Sequence, residues 1–283
     1  MRSNQLSYPP VAAIINDNMK IIRFKTSLTP PQYGWVHQNM VGVLQGDPYG
    51  ESRRFEPEFD LANVELLVPC EPSKIVAIGK NYVDHAKELD SVVPPYPLIF
   101  MKPPSSLITT GQPIILPPQS TRVDHEAELA VVIKKKCRWL TIEEAKDAIF
   151  GYTIANDVTA RDLQQQDNQW VRAKGFDTFC PLGPWIETEL NASDAMISCH
   201  VNNALRQMGS TRDMVFDIHQ LLAYITTFMT LLPGDVVLTG TPAGVSALKD
   251  GDTVTIHIEG IGTLINPVQA ENKAQYSRKV SLG

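Results

Sequence analysis

The hydrophobic pattern of this chain centres on an uninterrupted apolar run at residues 129–133, with the sequence LAVVI. A short, continuous run with β-branched residues is typical of a buried strand. A polar segment comes directly before it and contains Glu126 and Glu128. Successive side chains on a strand point to opposite faces, so these two carboxylates point the same way while Ala127 points the other way. The pattern therefore predicts two carboxylates side by side next to a buried strand.

Shorter patterns predict the rest of the secondary structure. Apolar runs or alternating patterns indicate strands at residues 20–24, 74–79, 98–101, 113–117, 236–239, 253–258 and 263–268, and in the first half of 151–164. Thr141 and Glu144 form a predicted capping box for a helix that ends near residue 149. Asp217 and Gln220 form a similar pair before a helix with a buried apolar stripe of Leu221, Leu222, Ile225 and Met229. We therefore expect a mixed, β-rich α+β protein.

The chain divides into three predicted segments. Residues 1–70 form a small N-terminal appendage that is β-rich, apart from an irregular stretch at 1–18. Prolines at positions 69 and 72 mark the boundary to a larger domain at 71–268, and a polar C-terminal tail follows at 269–283. A chain of 283 residues is long enough for one large domain with such an appendage.

Composition and charge exclude several classes of protein. The 43% of hydrophobic and 20% of charged residues are ordinary for a soluble globular protein. A net charge of −6 without a basic stripe argues against nucleic-acid binding. The longest apolar stretch, residues 221–232, contains three threonines and is shorter than the ~20 residues of a membrane span. Four cysteines without a C-x-x-C pair fit a reducing compartment, and no secretory signal is visible, so we expect a cytoplasmic protein.

The carboxylate pair predicts a metal site. Asp157 follows the predicted strand in 151–164, and with Glu126 and Glu128 it makes an all-oxygen set of three carboxylates. Oxygen ligands suit Mg²⁺ or Mn²⁺, and three of them leave coordination positions for water and substrate. Simpler interpretations exist, with the glutamates on a solvated strand face and Asp157 as a helix cap. A cation is favoured because paired carboxylates beside an apolar strand repel each other and lose hydration.

His85 and Glu88 are a candidate acid/base pair. They are three residues apart, and on a helix this spacing places them on one face. A carboxylate on one imidazole nitrogen fixes the tautomer and frees the other nitrogen for proton transfer. A surface histidine–glutamate pair without catalytic consequence is the alternative. Prolines at positions 94, 95 and 97 end the segment, so residues 80–93, here named the lid segment, are a candidate mobile lid.

Five blocks of sequence, in order over residues 74–268, resemble the fumarylacetoacetate hydrolase superfamily. They are Asn81-Tyr82 with His85-x-x-Glu88, His125-Glu126-x-Glu128-Leu129, Asp157-x-Thr159-Ala160-Arg161-Asp162-x-Gln164, Lys174-x-Phe176-Asp177-x-Phe179 and Gly240-Thr241-Pro242-x-Gly244-Val245. The chain is most similar to the short bacterial and mitochondrial members, whose N-terminal appendage resembles residues 19–70. The resemblance implies a β-roll catalytic domain at 71–268, usually dimeric, with Mg²⁺ or Mn²⁺ on the carboxylate triad.

The resemblance also implies the roles of individual side chains. The implied site comprises the metal ligands Glu126, Glu128 and Asp157, the catalytic residues His85, Glu88 and Lys174, and the substrate contacts Gln164 and Thr241. Two of these residues have a simpler interpretation when each is taken alone. Lys174 could be an ordinary loop lysine, and Thr241 could belong to a turn after a strand.

These expectations describe a divalent-metal-dependent enzyme that acts on 2-oxo or β-diketo carboxylates such as oxaloacetate and acylpyruvates. The cation would stabilise an enolate as it forms, and the first expectation is C–C cleavage, by hydrolysis or decarboxylation, that gives pyruvate. A keto–enol tautomerase or isomerase, of the oxaloacetate tautomerase or 2-hydroxyhepta-2,4-diene-1,7-dioate isomerase type, passes through the same species. A catalytically idle binder of a metal and a small acid is the third possibility, against which the proton-relay pair counts. The expected partners are a small 2-oxo acid and a second copy of the chain, without nucleic acid or membrane.

Overall fold

A computed structural model of the chain describes residues 19–88 and 90–271. The irregular segment predicted at 1–18 and most of the predicted tail lie outside these residues. Within them the chain forms nineteen strands: β1 Lys20–Lys25, β2 Gln32–His37, β3 Met40–Gly46, β4 Ser52–Asp60, β5 Glu65–Leu67, β6 Ile75–Gly79, β7 Leu98–Lys102, β8 Leu107–Ile108, β9 Ile114–Leu116, β10 Val123–Asp124, β11 Ala127–Ile133, β12 Ile149–Asn156, β13 Thr159–Ala160, β14 Cys180–Glu187, β15 Met196–Val201, β16 Ala204–Ser210, β17 Val236–Leu238, β18 Thr253–Ile258 and β19 Gly262–Ala270.

The helices are few and short. The α-helices of the described residues are α1 Val83–Glu88, α2 Ile142–Ala145, α3 Arg161–Gln166, α4 Val171–Lys174 and α5 Ile218–Thr226. Short 3₁₀ turns lie at Leu61–Asn63, Pro104–Ser106, Lys146–Ala148 and Thr211–Asp213. The helix α1 lies inside the lid segment.

The described strands form three sheets. The largest has the order β4-β3-β2-β1-β14-β12-β11-β17-β6-β7, with β5 paired to β1 and β8 paired to β14. The second has the order β16-β15-β18-β19-β9, and β10 pairs with β13 on its own. The N-terminal strands join the main sheet because β1 pairs with β14. The mixed, β-rich fold class and the β-rich N-terminal segment are therefore confirmed.

Strand β11 separates two layers of the core. Leu129, Val131 and Ile133 pack in one cluster with side chains of the smaller sheet and of α5. Ala130 and Val132 pack in a second cluster with side chains of β6, β14 and β17. The whole strand is buried, as its uninterrupted apolar sequence predicts. Each large aliphatic side chain buried in this way contributes about 1.5–3 kcal/mol, so the strand that carries the glutamates is firmly held.

Two helices begin at the capping boxes that the sequence predicts. Thr141 Oγ1 accepts a hydrogen bond from Glu144 N at 3.2 Å, and Glu144 Oε2 accepts one from Thr141 N at 2.9 Å. Asp217 and Gln220 make the same reciprocal pair at the start of α5, with both distances at 2.9 Å. Such caps satisfy backbone N–H groups that a helix leaves unpaired, and each typically contributes about 1 kcal/mol.

The last strand extends further than the sequence predicts. Gln269 and Ala270 pair with Ile115 and Leu116 of β9, so the chain is still in a sheet where the polar tail was expected to begin. Main-chain hydrogen bonds hold these residues, and such bonds do not require apolar side chains. Among the described residues, no helix is long and apolar enough to cross a membrane.

Candidate active site

The antiparallel pairing of β11 and β12 brings three carboxylates together. Ala127 lies opposite Asn156 in this ladder. Glu126 and Asp157 each lie one residue beyond that pair, and Asp157 N donates a hydrogen bond to Glu126 O at 2.9 Å. Asn156 Oδ1 also accepts a hydrogen bond from Glu126 N at 2.9 Å. Because Glu128 follows two residues later on the same strand, the three side chains converge, and one oxygen of each lies within 4.8 Å of the others.

Burial and mutual repulsion shape the ionisation of this triad. Glu126, Glu128 and Asp157 are 4%, 1% and 1% exposed. Burial raises the pKa of Glu128 well above its usual value, and the charges of Asp157 and Glu126 raise it further. Burial also opposes ionisation of Glu126, but Arg161 and Lys174 outweigh it and lower the pKa of that carboxyl. The triad therefore contains one carboxylate, Glu128, whose ionisation is opposed by burial and by the other two carboxylates.

Three buried cations surround two of the carboxylates. Lys174 Nζ donates to Glu126 Oε2 at 2.8 Å and to Asp157 Oδ2 at 2.5 Å. Lys102 Nζ donates to the other oxygen of Asp157 at 2.7 Å. Arg161 Nη2 donates to Glu126 Oε1, which completes the cationic surroundings of that carboxylate. These contacts stabilise the ionised forms and fix the direction of both side chains.

The residues fit a divalent cation. Glu128 accepts a hydrogen bond from Gly240 N at 2.7 Å, and among the described residues no lysine or arginine forms an ion pair with it. A buried carboxylate beside two others is stabilised in its ionised form by a positive ion. The donor set consists of oxygen atoms alone, which is the chemistry of Mg²⁺ and Mn²⁺ sites. The triad can therefore hold the divalent ion that the sequence predicts, and Glu126, Glu128 and Asp157 would be its ligands.

His85 and Glu88 lie on α1 beside the triad. His85 Nδ1 is 3.2 Å from Glu88 Oε2, and His85 Nε2 is 4.0 Å from Glu126 Oε1. An ionised carboxylate only accepts hydrogen bonds, so this contact favours the tautomer of the neutral ring with the proton on Nδ1, in which the lone pair of Nε2 faces the triad. Gly244 N donates to both oxygens of Glu88, at 3.0 and 3.2 Å. The pair predicted from its spacing thus forms in the structure. The main-chain N–H group of Gly244 holds the Glu88 carboxylate in place.

Replacing Glu88 by alanine is expected to lower kcat by roughly 10- to 100-fold, the usual cost of losing a group that orients a reactive one. The carboxylate would position the imidazole without itself taking the substrate proton. Steady-state rates at saturating substrate would measure the effect, and Glu88→Gln, which keeps one acceptor for His85, should fall in between. A Glu88→Ala enzyme as fast as the wild type would contradict the positioning role.

The two predicted substrate contacts lie at the cavity wall but differ in what they can offer. Gln164 Oε1 accepts a hydrogen bond from Arg161 Nη1 at 2.9 Å, which leaves its amide N–H₂ available to a ligand. Thr241 Oγ1 donates its proton to Ala127 O at 2.8 Å and accepts a hydrogen bond from Gln207 at 2.7 Å. The hydroxyl proton of Thr241 is thus engaged by Ala127 O, and its contact to substrate stays a prediction.

Sequence reasoning assigned no role to three residues that shape the site. Lys102 follows Phe100 by two positions on β7, and this spacing places both on the face that points to the triad. Arg161 stands in one of the sequence blocks above, where only its spacing was noted. Gln207 is fully buried, and its Oε1 accepts hydrogen bonds from Ala127 N at 3.0 Å and from His125 Nδ1 at 2.9 Å. The sequence signal that could have pointed to Lys102 is its place at the end of an apolar strand, two positions after Phe100 and therefore on the same face.

The site opens into a cavity of about 200 Å³. Its walls include the triad, His85, Lys174 and Gln164, together with the aromatic rings of Phe100 and Trp170. These two rings pack edge to face with centroids 5.3 Å apart, and Lys174 Nζ lies 4.9 Å from the centroid of Phe100. The cavity thus combines a charged floor with an apolar wall, which suits a small acid with a short carbon chain.

Two family models match this chain and identify the class of protein to which the fold and the site belong. The family model described as fumarylacetoacetate (FAA) hydrolase C-terminal matches residues 74–269, and the one described as Rv2993c-like, N-terminal matches residues 19–69. The chain therefore belongs to the fumarylacetoacetate hydrolase family, which the sequence blocks had indicated.

Several known proteins are similar to this chain. Protein Rv2993c of Mycobacterium tuberculosis is 48% identical over 80% of this chain and 86% of its own length. The human mitochondrial oxaloacetate tautomerase FAHD2A is 44% identical over 75% of this chain and 72% of its own. Among solved structures, 2-hydroxyhepta-2,4-diene-1,7-dioate isomerase from Mycobacterium marinum has a TM-score of 0.84 and 41% identity, covering 90% of this chain and 99% of its own.

A more distant solved structure bears on the metal. Maleylpyruvate hydrolase from Sphingobium sp. SYK-6, in complex with manganese(II) ion and pyruvate, has a TM-score of 0.74 and 31% identity, covering 90% of this chain and all of its own. The family thus includes isomerase, tautomerase and hydrolase relatives of this chain. Cytoplasmic location and the homodimer stay predictions.

Proposed function

We propose that this protein is a divalent-cation-assisted enzyme that moves a proton at the carbon next to the ketone of a 2-oxo acid. The reaction proposed first is keto–enol tautomerisation of an oxaloacetate-type substrate. The observation that carries the proposal is the position of His85 Nε2, 4.0 Å from a triad carboxylate in a buried cavity. The tautomerase and isomerase relatives, at 44% and 41% identity, support proton transfer over cleavage as the first candidate.

The chain's own groups divide the work between binding and proton transfer. Lys174 has three N–H donors, of which two contact the triad, so one remains for a substrate oxygen. The free amide N–H₂ of Gln164 can donate to the substrate carboxylate on the same side of the cavity. His85, held by Glu88 in the tautomer with a free Nε2, takes the proton from carbon and returns it in the reverse direction.

The cation would supply positive charge to the carboxylate and ketone oxygens as negative charge develops on them. Glu126, Glu128 and Asp157 would hold it on the floor of the cavity. A second function, C–C cleavage that gives pyruvate, is favoured by the hydrolase relative bound to pyruvate. In that reaction His85 would activate water for attack on an acyl group, or protonate the carbon after decarboxylation.

The two functions are separable in one experiment. We expect the purified protein with Mg²⁺ or Mn²⁺ to accelerate the ultraviolet decay of enol-oxaloacetate, while a coupled assay detects no matching release of pyruvate. Chelation of the metal should abolish the acceleration, and oxalate, a planar mimic of the pyruvate enolate, should inhibit it. Pyruvate release from oxaloacetate, acetylpyruvate or fumarylpyruvate would instead establish cleavage. If metal is present and neither enol decay nor pyruvate release is detected, the remaining possibility is a catalytically idle binder.

A further inference from the structure

Lys80 and Ser91 both line the cavity and have no task in the proposed reaction. They lie near opposite ends of the lid segment. No carboxylate of residues 19–88 and 90–271 lies within ion-pair distance of Lys80, which is half-buried. Ser91 Oγ is buried and has no hydrogen-bond partner in the same residues. A buried or half-buried donor without a protein acceptor is available to a ligand.

The backbone at Lys80 adopts an uncommon conformation. Lys80 has φ of +58°, in the left-handed region that glycine and asparagine adopt far more readily than lysine. The residue forms the turn between the end of β6 and helix α1, next to Gly79, on which Trp170 packs. A long charged side chain in a strained turn beside a binding cavity is typical of a ligand contact.

The pairing of charges around the cavity indicates what such a contact would bind. The lysine and arginine residues that line the cavity are Lys80, Arg161 and Lys174, and the last two donate to carboxylates of the triad. Lys80 is therefore the lining cation that has no carboxylate partner among the described residues. A second carboxylate on the substrate would gain most from a hydrogen bond to this free cation, because charge-assisted hydrogen bonds are the strong ones.

We propose that Lys80 selects 2-oxo acids that carry a second carboxylate, with the Ser91 hydroxyl as an additional donor to that group. The inference rests on the proposed function, which places the 2-oxo carboxylate end of the substrate at the triad. It deepens that function by assigning the residue that recognises the second carboxylate of an oxaloacetate-type substrate. Lys80 binds the end of the substrate at which no bond changes, so its loss weakens binding of diacids and leaves monoacids unaffected.

Calorimetric titration of the Mn²⁺-loaded protein with a matched ligand pair tests this without any turnover. 2-Oxoglutarate and 2-oxovalerate have the same number of carbon atoms, and only the first has a distal carboxylate. The wild type should bind 2-oxoglutarate more tightly than 2-oxovalerate. The Lys80→Met variant keeps the length of the side chain and should bind 2-oxoglutarate roughly 10- to 100-fold more weakly, the usual loss of a charge-assisted hydrogen bond. Its affinity for 2-oxovalerate should not change, and Lys80→Arg should retain most of the preference.

The outcomes separate this proposal from the function on which it rests. If the wild type binds oxalate and both oxo acids but Lys80→Met lowers both affinities equally or neither, the role of Lys80 is overturned while the proposed function stands. If the wild type binds neither oxalate nor any 2-oxo acid, both are overturned. A thermal melt of each variant checks that the turn at residue 80 still folds.

Discussion

Replacing His85 by alanine is expected to lower kcat by ~10²–10⁴-fold and to leave the affinity for Mn²⁺ unchanged. The imidazole lies on α1 with Nε2 4.0 Å from Glu126, so it faces the triad but is not one of the three carboxylates that would hold the ion. Its loss removes the group that takes the substrate proton and leaves the charge of the triad as it is. The rate would be measured by the ultraviolet decay of enol-oxaloacetate, and the affinity by calorimetry.

A control on the same helix distinguishes this effect from damage to α1. Asp84 is an exposed neighbour of His85, and its ion pair within the described part of the chain is with Lys87 on the helix surface, at 3.0 Å. The Asp84→Asn variant should therefore keep the wild-type rate, since exposed ion pairs contribute little to stability. If His85→Ala turned over substrate as fast as Asp84→Asn, His85 would be a buried residue of the cavity wall without a catalytic role.

Replacing Glu128 by glutamine is expected to weaken Mn²⁺ or Mg²⁺ binding by more than ~100-fold. Loss of a residue that only contacts a metal ligand typically costs ~10–100-fold in affinity, and Glu128 would be a ligand itself. Glutamine keeps an oxygen that can accept the hydrogen bond from Gly240 N, so the local fold should persist. It removes one of the three negative charges on which a hard cation depends. Calorimetric titration of the ion into wild type and variant measures the difference, and activity at limiting metal should fall with it.

Glu187 provides the matched control for this substitution. It is a fully buried glutamate at the end of β14, and Oε1 accepts a hydrogen bond from Glu189 N at 3.0 Å. Glu187→Gln repeats the chemical change in the main sheet at a residue outside the triad and the cavity lining. Equal ion affinities for Glu128→Gln and Glu187→Gln would rule out the triad as the binding site.

The parts of the site that sequence predicts are those encoded within a few residues. Glu128 lies in β11 and Glu126 directly before it, and the alternation of extended backbone places both on one side. The three-residue spacing of His85 and Glu88 places them on one helix face. The two capping boxes are equally local, since each depends on residues three positions apart. Local geometry follows from main-chain periodicity, so the pattern alone suffices for these features.

The surroundings of the triad could not be predicted in the same way. Lys102 reaches Asp157 across 55 positions of sequence, and Arg161 reaches Glu126 across 35. Such contacts depend on which strands become neighbours, and hydrophobic periodicity does not determine strand order. The pairing of β1 with β14 is a further case, because it joins the N-terminal strands to a strand that begins 155 residues after β1 ends.

The hydrogen bonds from Gly244 to Glu88 have a consequence for the timing of the reaction. Gly244 has φ of +106°, and a Cβ atom there would lie 2.0 Å from Arg206 O, so the loop can present its N–H group only if this residue is glycine. Glu88 is fixed by this loop and not by its own helix alone. Any movement of α1 that admits a substrate from solvent would break the contact and release the carboxylate that orients His85. In the proposed reaction His85 would therefore be oriented as a base only while α1 rests on the loop, so proton transfer would have to wait until α1 has closed on the bound substrate.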